Sequence, residues 1–108
     1  MPVKDDIQQT ISNHKVVIYM KGTPMMPQCG FSAQTVATFH SMGVKPFTVN
    51  VLADAAVREG IKQFTNWPTI PQVFIDGKFV GGCDIIRELS ASGELRKLLD
   101  AAGVTVSR

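Results

Sequence analysis

Long apolar runs are missing from this sequence. The β-branched run Val16-Val17-Ile18-Tyr19-Met20 falls far short of the ~20 consecutive apolar residues that a membrane helix needs, and Met1 to Asp6 carries both charge signs with no signal-peptide apolar core behind it. Charge of one sign is also scarce. Eleven basic residues against nine acidic ones leave a formal charge of +2, without a run of five or six like charges, so neither nucleic acid nor a membrane surface is expected as a partner. Cysteine is limited to Cys29 and Cys83, far apart in the chain, which makes neither a disulfide framework nor a zinc spacing. The two histidines, His14 and His40, lack the short paired spacing of metal sites. These absences point to a reducing compartment, read as the cytoplasm; an organelle form without its transit peptide would look the same. What remains is 108 residues, 44% of them hydrophobic, enough for one core and too few for two. A single domain over 1–108 is expected.

Val3, Ile7 and Ile11 recur every four residues on one helical face, and the run Val16 to Met20 that follows reads as a buried strand. Lys21-Gly22-Thr23-Pro24 and Pro27 mark a loop, after which Ala33, Val36, Ala37, Phe39 and Met42 fit a helix ending near Gly43. Phe47 to Val51 is a second strand, followed by a helix carrying Val57, Ile61 and Phe64. Asp76-Gly77, between Val73-Phe74-Ile75 and Lys78-Phe79-Val80, suits a two-residue type I′ hairpin because both positions need positive φ. Ile85, Ile86 and Leu89, then Leu95, Leu98, Leu99 and Ala102, close the chain with helix, which Gly93 could divide. Strand, helix and strand in succession imply a parallel pair, and the hairpin adds two antiparallel strands. The expected fold class is α/β, a thioredoxin-like four-stranded mixed sheet flanked by helices.

Chemistry concentrates between Lys21 and Ser32, with Cys29 where loop becomes helix. There a sulfur faces unpaired backbone N–H groups and the positive end of the helix dipole, which favour thiolate over thiol, and Lys21 adds a positive charge nearby. The competing reading is a buried core cysteine. It fits poorly with proline and glycine on either side and no apolar periodicity through Cys29. Ser32 occupies the place of the second thiol of a Cys-x-x-Cys motif.

Cys29-Gly30-Phe31-Ser32, with Lys21-Gly22-Thr23-Pro24 before it and Trp67-Pro68-Thr69-Ile70-Pro71 and Gly81-Gly82-Cys83-Asp84 after it, closely resembles the CGFS-type monothiol glutaredoxins of the single-domain class. The resemblance implies a cis peptide before Pro71, where sequence alone would favour an ordinary trans proline. It also implies that Lys21 and Arg58 contact the glycine-end carboxylate of glutathione, that Ile70 pairs with its cysteine backbone, and that Cys83 and Asp84 hold the γ-glutamyl end. Without the family, Arg58 and Lys62 read as solvated helix face and Asp84 as a helix N-cap. Cys83 is expected to pack beside glutathione through its backbone. Trp67 fits core or surface equally.

A two-iron cluster needs four ligands, and one chain offers only one well-placed cysteine. By resemblance, Cys29 from two protomers and two glutathione thiols hold a [2Fe-2S] cluster in a homodimer that is monomeric without it. Apo iron-sulfur acceptors and BolA-like proteins are the implied partners. The alternative is a glutathione-dependent disulfide reductase that uses Cys29 alone, for which one thiol suffices because the resolving thiol is external. The family leads us to expect weak turnover of that kind. A pure scaffold would leave the glutathione-binding residues unexplained.

Overall fold

The computed structural model describes residues 3–107; the ends of the expected 1–108 domain lie outside them. Helix α1 (Val3–Asn13) buries Ile7 and Ile11 and carries Asp5 and Asp6 in its first turn, where acidic side chains complement the helix dipole. Strand β1 (Val16–Met20) follows, then α2 (Gly30–Ser41), β2 (Phe47–Asn50), α3 (Ala55–Thr65), β3 (Gln72–Ile75), β4 (Lys78–Gly81), α4 (Cys83–Ser92) and α5 (Glu94–Ala101). The four strands form one sheet in the order β2-β1-β3-β4, with β1 parallel to β2 and the other neighbours antiparallel. This is the expected thioredoxin-like arrangement.

All five residues of β1 are buried, as a central strand covered on both faces requires. Alternation sends Val16, Ile18 and Met20 into a core shared with Val36 and Phe39 of α2, Ile86 of α4 and Leu95 and Leu99 of α5. Val17 and Tyr19 point to the other face and pack with Ile7, Ile11 and Ile61, so the expected single core is divided by the sheet into two apolar layers. Helices α1 and α3 therefore cover one face of the sheet and α2, α4 and α5 the other. Each large apolar side chain so placed contributes about 1.5 to 3 kcal/mol by burial, which makes β1 a rigid base for the loop that leaves its end.

Local chemistry sets the boundaries. Asp54 caps α3 by accepting from the N–H groups of Ala56 (2.9 Å) and Val57 (3.4 Å). At the hairpin, Asp76 and Gly77 have φ of 54° and 77°, the pair of positive values that a type I′ turn needs. Gly93, at φ 84°, ends α4 and begins α5, so the last helical stretch is divided. Strand β2 stops at Asn50 and not at Val51, because Asn50 Oδ1 turns back to accept from Leu52 N–H at 3.0 Å. Val51 is still fully buried and donates to the Met20 carbonyl at 2.9 Å. No helix among the described residues is long and apolar enough to cross a membrane.

Candidate functional site

The loop from Lys21 to Gln28 folds back on itself. Thr23 N–H donates to the Met26 carbonyl (3.2 Å), Met26 N–H to the Thr23 carbonyl (3.1 Å), and Gln28 N–H to the Lys21 carbonyl (2.9 Å). Two side chains from elsewhere tie down its base: Ser32 Oγ accepts from Lys21 N–H at 3.1 Å, and Asn50 Oδ1 accepts from Gly22 N–H at 2.9 Å. Gly22 has φ 91°, and a Cβ there would lie 2.5 Å from the Met26 carbonyl oxygen and 2.7 Å from Gln28 N. Only glycine fits so tight a base.

This base delivers Cys29 to the start of α2 as its N-cap, in extended conformation (φ −149°, ψ 131°), with the helix opening on the bond from Ala33 N–H to the Cys29 carbonyl at 3.0 Å. The sulfur makes no capping hydrogen bond, yet the Ser32 and Phe31 N–H groups of the first turn are near enough to act on it. The Ser32 N–H is the largest influence on the thiol; burial opposes it, while the Phe31 N–H, the Ser32 hydroxyl and the Lys21 ammonium help it, and the net effect holds Cys29 below the ordinary thiol range. Cys29 is half-buried, so the core-cysteine reading fails. Ser32 itself is fully buried. The serine that replaces a second thiol therefore joins the loop to the helix and faces the nucleophile.

Cys29 opens into a groove of about 490 Å³. Lys21 and Phe31 line it on the loop and helix side, the whole segment Trp67 to Pro71 makes a wall, and Gly82, Cys83, Asp84 and Ile85 bring the start of α4. The Ile70–Pro71 peptide is cis, as the resemblance implied. Gly82, the N-cap of α4, lets the backbone come close to the wall, since a Cβ would sit 3.1 Å from the Pro71 carbonyl oxygen. Asp84 is thus not the cap. It stands inside the first turn and accepts from Arg87 Nη2 at 3.0 Å on the exposed surface. Cys83 is buried, and its Sγ donates to Gln34 Oε1 at 3.3 Å.

Of the residues picked out in the sequence, Lys21, Cys29, Ile70, Cys83 and Asp84 meet in this groove. Arg58 is exposed and outside the lining, whereas Lys62, one turn further along α3 on the same face, is part of it. Sequence reasoning read Lys62 only as solvated surface; its place one turn nearer Trp67 was the clue. Reasoning from sequence also missed Asn50 and Gln72, buried or half-buried amides whose hydrogen bonds hold the loop and the wall. Trp67 settles as a rim residue, 36% exposed, with its ring edge-on to Phe79. Around the thiol stand further exposed apolar side chains, Met25 (93%), Met26 (68%) and Phe31 (60%). No group of three or more His, Cys, Asp or Glu side chains converges among the described residues.

Residues 16–80 match the family model for glutaredoxin. A monothiol glutaredoxin of Synechocystis sp. is 50% identical over 99 residues, covering 92% of both chains. The solution structure of a monomeric truncated mutant of Trypanosoma brucei 1-C-Grx1 superposes with a TM-score of 0.89 at 39% identity, over 97% of this chain and 96% of that one. A crystal structure of a buckwheat glutaredoxin–glutathione complex superposes at 0.85 with 26% identity, over 95% and 93%. With one accessible thiol at the start of α2 and a cis-proline wall beside it, the chain belongs to the glutaredoxin family, in its monothiol class.

Proposed function

We propose that this protein binds glutathione beside Cys29 and carries a [2Fe-2S] cluster as cargo between two protomers, for transfer to apo acceptor proteins. The observation that carries the reading is a single accessible, acidified thiol set in a groove whose lining includes Lys21, Lys62 and Asp84. Lys21 and Lys62 supply cations for a carboxylate, the first N–H groups of α4 are free to donate to a second one, and Asp84 offers an acceptor for the amine. Arg58, one turn away on the same helical face, remains an outer contact of the glycine-end carboxylate. Ile70, in the wall, is placed to pair through its backbone with the cysteine of an extended peptide. Bound this way, glutathione presents its thiol beside Cys29.

One chain offers the cluster a single accessible thiol, while four soft ligands are needed. Two Cys29 thiolates and two glutathione thiols complete the set, so cluster and homodimer form together and the cluster-free chain is a monomer. Exchangeable small-molecule ligands leave the cluster easy to transfer. The exposed Met25, Met26 and Phe31 give the rim around Cys29 an apolar surface for a second protomer or for a BolA-like partner. The cytoplasm, where thiols stay reduced, suits this chemistry.

The lowered pKa of Cys29 favours a second reading, a glutathione-dependent reductase. The Cys29 thiolate attacks the glutathione sulfur of a mixed disulfide, and the protein thiolate leaves. A second glutathione thiolate then attacks that sulfur, releasing Cys29 and glutathione disulfide. The deciding experiment measures, on one preparation, reduction of a small glutathione mixed disulfide and transfer of a preformed cluster to an apo ferredoxin. Rapid transfer with slow reduction is expected; rapid reduction with no transfer replaces the carrier by the enzyme.

A further inference from the structure

We infer that Gln72 is the positioning residue of the groove wall, and that its side-chain amide sets glutathione affinity without touching the ligand; this rests on the glutathione-binding reading above. Gln72 is the first residue of β3 and fully buried. Its Nε2 donates to the Trp67 carbonyl at 2.8 Å and the Thr69 carbonyl at 3.2 Å, and its Oε1 accepts from Thr65 Oγ1 at 2.8 Å. Two carbonyls on one nitrogen fix which end of the amide is NH₂. The segment so held, Trp67 to Pro71, is the wall itself.

The wall has few means of its own to hold this shape. Pro68 and Pro71 have no N–H to give. At one end Trp67 N–H reaches the Lys62 carbonyl at 3.2 Å, and Thr65 ends the same helix, its hydroxyl proton shared between Gln72 Oε1 and the Ile61 carbonyl. Gln72 thus fixes the Ile70 peptide relative to the end of α3 that presents Lys62. No other side chain of this length offers two donors and an acceptor: glutamate loses the donors and methionine loses all three. The Trp67 and Thr69 carbonyls, left without their donor, would turn toward water, and the wall would move with them.

The experiment is calorimetric titration of the full chain with reduced glutathione, comparing wild type, Gln72→Met and Thr65→Val. Gln72→Met is expected to weaken binding by about tenfold, the size of one or two lost hydrogen bonds. Thr65→Val, which keeps both donors on the wall, should cost much less. The pH profile of Cys29 alkylation should be the same in all three, because Gln72 bonds to no residue of α2. Wild type that fails to bind glutathione overturns the underlying reading and this inference with it. Wild type that binds, beside a folded Gln72→Met that binds equally well, overturns the role of Gln72 alone. Should Gln72→Met not fold, the wild-type protein decides by NMR: the Gln72 side-chain amide protons are expected to exchange slowly and to shift during the titration. Fast exchange with no shift overturns the inference.

Discussion

Removing the Lys62 charge tests the groove where sequence and structure differ most. Lys62 lines the groove and Arg58 does not, although both lie on one face of α3 a turn apart. A charge-assisted hydrogen bond to a carboxylate is worth ~1.5 to 3 kcal/mol, and half-burial with solvent screening keeps Lys62 near the bottom of that range. Lys62→Gln should therefore weaken glutathione binding by about tenfold. Arg58→Gln, at an exposed outer contact, should cost no more than about threefold, as exposed pairs do. Calorimetry at low and high ionic strength reads both, and the Lys62 penalty should shrink with salt. An unchanged affinity in Lys62→Gln beside a large loss in Arg58→Gln would refute the placement of Lys62 and restore the family-based assignment.

The acidified thiol should show in alkylation kinetics, whose pH midpoint for Cys29 should fall below the ~8.5 of an ordinary cysteine. The same depression binds fewer protons in the folded chain, so its stabilising effect is fully present above the unfolded value and is lost as pH falls through the folded one. Denaturant melts of wild type against Cys29→Ser across that window check the sign; an opposite slope would contradict it. Gly22→Ala forces a Cβ against backbone atoms at φ 91°, and should cost about 1 to 3 kcal/mol in thermal melts or loosen the loop enough to slow alkylation of Cys29. Tyr19, the only tyrosine, is pushed up to about 12 by burial, opposed by its bond to Thr10 and aided by Asp6. Its absorbance should show only a minor fraction of tyrosinate at about pH 11 while the chain stays folded, and stability should fall as pH rises from ~10 toward that value.

The fold was legible because its elements obey simple periods. The four-residue steps of Val3, Ile7 and Ile11 become the buried face of α1, and the unbroken apolar run of β1 becomes the central strand. Asp76-Gly77 named its own turn. Cys29 could be placed because a loop-to-helix junction is a local pattern, and the groove could be assembled because separated motifs matched one family. What the sequence hid depends on contacts across distance. Nothing in Asn50 announces a bond to Gly22, and Gln72 looks like an ordinary strand residue until its amide is seen under the wall. Lys62 and Arg58 differ only by one turn of α3, and the direction from which that helix approaches the groove is a tertiary fact. Asp84 looked like a cap because aspartate often is one, yet Gly82 takes that place where α4 begins against Pro71.

The claim that two chains and two glutathiones share one cluster is tested most directly by native mass spectrometry after anaerobic reconstitution with iron and sulfide, with and without glutathione. The expected mass with glutathione is two protomers, two glutathiones and one [2Fe-2S] unit, with only monomer in its absence and in Cys29→Ser. A cluster-bearing species without glutathione, or one that persists in Cys29→Ser, would contradict it.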